Sequence, residues 1–250
     1  MTARILITRP SGQSDGLEKA LVGNGFSVEA VPTLAIEPIT DARLLRPATN
    51  AVLALDNYQQ VIFISTNAVR YGMALVDQYW PQWPVRIHWH AIGRATALAL
   101  AAFDIDTASS ATASNSEALL NNEELQQMSG QKVLIFRGCG GREHLAEQLR
   151  QRGAEVDYAE VYQRRCADEN GAQLQSLLTT QLAAAVALSG ETLANLLHLA
   201  VSKRAFLLTL PLVVPGERVA ALAREAGFRD VLIAENASAD AVLKTLQQRF

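Results

Sequence analysis

Residues 132–165 read KVLIFRGCGGREHLAEQLRQRGAEVDYAEVYQRR. The run Val133-Leu134-Ile135-Phe136 is apolar without alternation, the pattern of a strand buried on both faces. It breaks at Arg137-Gly138-Cys139-Gly140-Gly141-Arg142 and enters a helix with Leu145 and Leu149 on one face. Gly153 closes that helix. A second strand follows, and the segment ends on Tyr162 beside Arg164 and Arg165. A strand-to-helix turn with free backbone amides, flanked by two arginines, is suited to receive an anion. Arg137, Gly138, Gly140, Gly141 and Arg142 are therefore candidate binding residues.

The same β-α-β unit opens the chain. At a constant offset of 128, Ile5-Leu6-Ile7 falls on Val133-Leu134-Ile135 and Arg9 on Arg137. Gly12 falls on Gly140, Leu17 on Leu145, Leu21 on Leu149, Gly25 on Gly153 and Val28 on Val156. The duplication continues. The strand-to-helix break at Ser65-Thr66-Asn67 repeats at Ser189-Gly190-Glu191, and Ile92-Gly93-Arg94 repeats at Pro215-Gly216-Glu217-Arg218. The chain is two copies of one three-unit α/β block. Strands alternating with helices predict parallel sheets flanked by helices. Two short extended stretches, Leu34 to Pro38 and Glu160 to Arg165, follow the matching units and can pair as a bridge. The repeat alone leaves open whether each domain keeps or exchanges its first unit.

Ligands of open parallel sheets bind beyond the carboxyl ends of the strands. The six turns there supply the candidate substrate-binding residues: Thr8 and Arg9; Ser65, Thr66 and Asn67; Gly93; the Arg137–Arg142 turn; Ser189 and Gly190; Gly216 and Arg218. Their amides, hydroxyls and guanidinium groups suit a polyanion. Each also has a plainer reading as turn glycine or helix cap. Gly138-Cys139-Gly140-Gly141 resembles a dinucleotide turn, but Glu143 stands where that motif needs a third glycine.

Composition narrows the classes. The 250 residues suffice for one large domain or two smaller ones, and a net charge of −3 offers no field for nucleic acid. No apolar run approaches the length of a membrane span. The chain enters a strand almost at once, so the expectation is a cytoplasmic protein without a leader. Arginine outnumbers lysine 18 to 4, from base composition or from a site that reads several carboxylates. Cys139 and Cys166 form no CxxC and are expected to be ordinary thiols. The four histidines are scattered, so no metal site is expected. On fold and turns alone, a non-catalytic two-domain binding protein for a small polyanion is also admissible.

The ILITRP start, VIFISTNAVR, AIGRATALAL, residues 134–165, ALSGETL and VPGERVAALAREAGF together resemble the uroporphyrinogen-III synthase family over nearly the whole chain. Cys139 and Pro215-Gly216 depart from the commoner family residues. The resemblance implies two similar flavodoxin-like α/β domains joined by a two-stranded β-ladder. Domain 1 would be residues 1–34 plus 167–250, domain 2 would be residues 40–159, and the ladder would be residues 35–39 and 160–166. It implies dehydrative cyclisation of hydroxymethylbilane, with inversion of the last ring and no metal or organic cofactor. The substrate would lie between the domains, with Tyr162 as the catalytic proton donor. A monomer is expected, with possible transient contact with the synthase that makes the bilane.

Overall fold

In the computed structural model, residues 2–11, 15–107 and 113–250 are described. Gly12 lies outside them. The strands are β1 (Arg4–Ile7), β2 (Ser27–Ala30), β3 (Leu34–Pro38), β4 (Gln60–Phe63), β5 (His88–Ala91), β6 (Lys132–Gly138), β7 (Glu155–Cys166), β8 (Ala184–Val186), β9 (Leu212–Val214) and β10 (Val231–Ile233). The helices are α1 (Asp15–Gly23), α2 (Ala42–Leu53), α3 (Thr66–Val76), α4 (Arg94–Ala101), α5 (Ser116–Leu120), α6 (His144–Gln151), α7 (Gly171–Leu177), α8 (Gly190–Leu199), α9 (Arg204–Leu207), α10 (Glu217–Ala226) and α11 (Ala239–Gln247). No helix among the described residues is long and apolar enough to cross a membrane.

The chain divides into two compact units: Met1–Ala35 with Arg165–Phe250, and Ile36–Arg164. The first holds a parallel sheet in the order β10-β9-β8-β1-β2. Numbered by position in that unit, the order is 2-1-3-4-5, the flavodoxin-like doubly wound arrangement. The second holds β3-β7-β6-β4-β5, with β7, β6, β4 and β5 parallel. The Ile39 amide donates to the Val161 carbonyl, and the Ala167 amide to that of Thr33, so β3 runs antiparallel to β7. The two-stranded ladder is thus continuous with this sheet, and β7 is one unbroken strand through it.

The duplication is visible in the pairing itself. Ile5 faces Val28 as Val133 faces Val156. Ala184 faces Ile5 as Gln60 faces Val133. Ala185 faces Leu212 as Val61 faces Trp89. Each sheet therefore combines the first β-α-β unit of one repeat with the later strands of the other. Because the two copies pair in equivalent registers, β6-β7 completes β4-β5 as β1-β2 completes β8-β9.

Each sheet is buried on both faces, which is why its strands read as apolar runs. In the second unit, Phe63, Phe136, Met73 and Leu100 fill one side, and Leu119, Leu125, Ile135 and Leu149 the other. The Phe63 and Phe136 rings stack with centroids 4.5 Å apart. In the first unit, Leu6, Leu193, Leu196 and Val214 pack opposite Ile5, Ile7, Leu21 and Val242.

Candidate functional site

The carboxyl ends of β4, β5 and β6 surround a cavity of about 470 Å³ in the second unit. Its walls are the Gly138–Arg142 turn, Tyr158, Tyr162 and Arg164 on β7, Ile64 and Ile92 after β4 and β5, and Ser114–Glu117 at the start of α5. Of the sequence candidates, Arg137, Gly138, Gly140, Gly141, Arg142 and Tyr162 line it.

Arg137 lines the cavity but is only 3 % exposed, and its guanidinium is engaged within the turn. It pairs with Glu143 at 2.9 Å and approaches Glu160 at 3.9 Å. It also donates to the carbonyls of Gly138 and Gly140 and lies over the Tyr158 ring at 4.5 Å. A guanidinium has five N–H donors and no acceptor, and burial demands that they be matched. Arg137 is therefore the brace of the turn. Free amides were also expected there. Instead, the Cys139 amide donates to the Tyr162 carbonyl at 2.8 Å, and that of Gly140 to Glu160 at 3.1 Å. Arg142 and Arg164 are exposed and line the cavity.

Glu143 extends the brace. The Tyr158 hydroxyl donates to its carboxylate, and this bond, with the Arg137 cation, holds Glu143 below the usual carboxylate range. Burial and the same bond push the Tyr158 phenol up.

Tyr162 is 7 % exposed, and its ring covers Gly138. A Cβ at Gly138 would lie 2.5 Å from the Tyr162 ring, so only glycine allows this approach. The Tyr162 hydroxyl is 3.2 Å from Ser65 Oγ. Ser65 caps α3 by accepting from the Ala68 amide at 3.1 Å. With that lone pair engaged, the Ser65 hydroxyl retains a proton to donate to the phenol oxygen. Thr66 and Asn67 open α3 and are not among the cavity-lining residues. Nor is Gly93, whose amide, expected to be available to a ligand, donates to the Ala113 carbonyl at 2.7 Å.

The candidates of the first unit lie at the carboxyl ends of the adjacent strands β1, β8 and β9. Thr8 is buried, and its hydroxyl donates to the Val186 carbonyl at 2.8 Å. Arg9 is half-buried and donates to the Ala237 carbonyl at 2.9 Å. Ser189 forms a reciprocal capping box with Thr192 at the start of α8, the counterpart of Ser65 with Ala68. Gly190 follows it in α8, against Leu222. Gly216 has φ 145°, and its counterpart Gly93 has φ 88°. Both turn a strand sharply into a helix in a region side chains avoid. Arg218 is exposed on the first turn of α10.

Comparison with known proteins bears directly on this arrangement. The family profile described as Uroporphyrinogen-III synthase HemD matches residues 15–244. The chain belongs to the uroporphyrinogen-III synthase family. The Salmonella typhimurium uroporphyrinogen-III synthase is 38% identical over 249 residues, covering 97% of this chain and 99% of the relative. That of Escherichia coli is 34% identical over 252 residues, with the same coverage. Solved structures share the fold. A mutant uroporphyrinogen III synthase of Thermus thermophilus superposes with a TM-score of 0.63 at 19% identity, covering 99% of this chain and 100% of that one. The Helicobacter pylori uroporphyrinogen-III synthetase gives 0.60 at 14% identity, covering 99% of each.

For this family member, sequence reading missed Ser114–Glu117, Tyr158, Glu143 and Glu160. The first had a signal: Asn115 before Ser116-Glu117-Ala118-Leu119-Leu120 is a helix-cap pattern, and the Asn115 side chain accepts from the Ala118 amide at 2.8 Å. The others had none: Glu143 lies only six residues from Arg137, and Tyr158 and Glu160 meet the turn from the next strand, at no spacing that a motif marks.

Proposed function

We propose that this chain converts hydroxymethylbilane to uroporphyrinogen III by dehydrative cyclisation, as its family membership and its site jointly support. The hydroxyl on ring A leaves as water once protonated, and the pyrrole nitrogen supplies the electrons that expel it. The substituted α-carbon of ring D attacks the resulting cation to form a spiro intermediate. That intermediate opens and recloses with ring D inverted. The protein therefore needs a proton donor and a mould for the folded bilane, and no nucleophile.

The observation that carries this reading is the Tyr162–Ser65 contact at the cavity wall. When Ser65 donates to the phenol oxygen, the phenol proton is directed elsewhere, and Tyr162 lines the cavity. We assign Tyr162 the proton donor's role and Ser65 that of its positioning partner. Arg142 and Arg164 receive substrate carboxylates. Arg218 and the turns at Ser189 and Gly216 offer polar groups in the first unit. No cofactor enters these steps.

The test is direct. Purified protein is given enzymatically generated hydroxymethylbilane, the product is oxidised, and the type I and type III isomers are separated. Unassisted closure produces type I. Type III above the protein-free control is expected; type I alone, with a folded protein, overturns the proposal.

A further inference from the structure

The first unit carries a side-chain group that the cyclisation does not use. Cys166 ends β7, Asp168 follows two residues later, and His198 lies in the last turn of α8. Their Sγ, carboxylate oxygen and imidazole nitrogen atoms all lie within 4.8 Å of one another. His198 Nε2 is 3.3 Å from Asp168 Oδ1. Thirty residues separate Asp168 from His198, so no motif spacing reveals the group.

We propose that Cys166, Asp168 and His198 form a binding site for a divalent zinc-class cation. Three lines of chemistry support this. First, the donors are a thiol, an imidazole and a carboxylate, and zinc takes all three ligand types, whereas calcium and magnesium select oxygen alone. Second, the charges balance: one thiolate and one carboxylate neutralise a dication. The neighbouring Glu169 adds no excess, because it is paired with Arg165 at 2.8 Å. Third, the distances can close. Bonds of about 2.0–2.3 Å in a tetrahedron place ligand atoms roughly 3.3–3.8 Å apart. Separations of at most 4.8 Å therefore need to shorten by no more than about 1 Å, a change that side-chain rotation can supply. The Asp168 and His198 side chains are 69% and 68% exposed, so that rotation meets little packing. The fourth position is left to water, as in zinc sites with three protein ligands.

Such an ion has a structural consequence. It joins the point where the chain re-enters the first unit to the carboxyl-terminal end of α8. The other end of α8 carries the Ser189 cap. An exposed His–Asp pair alone does little for stability; a bound metal clamps the helix.

The experiment uses the tag-free chain with reduced thiols and Co²⁺ as the spectroscopic probe. One equivalent of Co²⁺ should bind, with a thiolate-to-metal charge-transfer band and the intense visible bands of four-coordinate cobalt. Zn²⁺ should displace it and raise the thermal midpoint. Cys166→Ser should abolish the charge-transfer band, and Cys139→Ser should retain it. His198→Ala, an exposed change that leaves folding intact, should weaken binding by roughly tenfold or more. Absence of the band in the unaltered chain overturns the site. So does a band that survives Cys166→Ser, or zinc affinity unchanged by His198→Ala. None of these readouts depends on cyclisation.

Discussion

Replacing Gly138 with alanine adds one methyl group to the face of β6 that Tyr162 covers. That carbon would lie 2.5, 2.7 and 2.9 Å from Cε2, Cζ and Cδ2 of the ring. Carbon pairs rest at about 3.5–4.0 Å, so the ring must retreat by about 1 Å. Tyr162 is only 7 % exposed, and the retreat presses into packed neighbours, including Tyr71 with its ring centroid 6.0 Å away. Overpacking of this kind costs about 1–3 kcal/mol. A shift of that size disturbs the 3.2 Å contact of the phenol with Ser65, and a misplacement of about 1 Å costs about a hundredfold in rate. Turnover should therefore fall far more than urea stability accounts for. The assay is the initial rate of type III product, alongside the unfolding midpoint. A double-mutant cycle isolates the cause. In Gly138→Ala combined with Tyr162→Phe the stability loss should persist, while the rate should match Tyr162→Phe alone, because the same hydroxyl has already been removed. Full type III activity in Gly138→Ala, or rate losses that multiply in the double variant, would refute the assignment.

Tyr162→Phe alone should lower turnover by more than about tenfold with little change in substrate affinity, as expected of a group whose proton moves in the transition state. Arg142→Ala combined with Arg164→Ala should weaken substrate binding while leaving the unfolding midpoint near that of the parent chain. Arg137→Ala should do the reverse, lowering stability by about 2 kcal/mol or more because its charged hydrogen bonds brace the turn; urea titration distinguishes the two variants. His90 is fully buried, and burial pushes its imidazole down to about 4, against a weaker opposing pull from Glu124. The unfolded chain binds that proton near pH 6.5 and the folded chain does not, so stability falls as pH drops through this window. Between about pH 7 and pH 5 the loss is about 2 kcal/mol, and His90→Gln should remove it. Equal pH slopes for the two proteins in urea unfolding would sink this account.

The sequence by itself determined the duplicated α/β build, though not which units share a sheet. Strands buried on both faces announce themselves as apolar runs, and a gapless offset of 128 is a property of the chain that needs no coordinates. The strand-to-helix turns and the capping serines Ser65 and Ser189 were legible for the same reason: turns and caps are made by residues close in sequence. What tertiary structure decided is which groups remain available. Arg137 and Arg142 look alike in the sequence, five residues apart on one turn. Only folding places Glu160 and the Tyr158 ring around Arg137, matching its buried donors, while Arg142 stays exposed. The Tyr162–Ser65 contact spans 97 residues, and the Cys166–Asp168–His198 group spans 32. Local spacing carries no information about such meetings, because they depend on which strands pair and in what register.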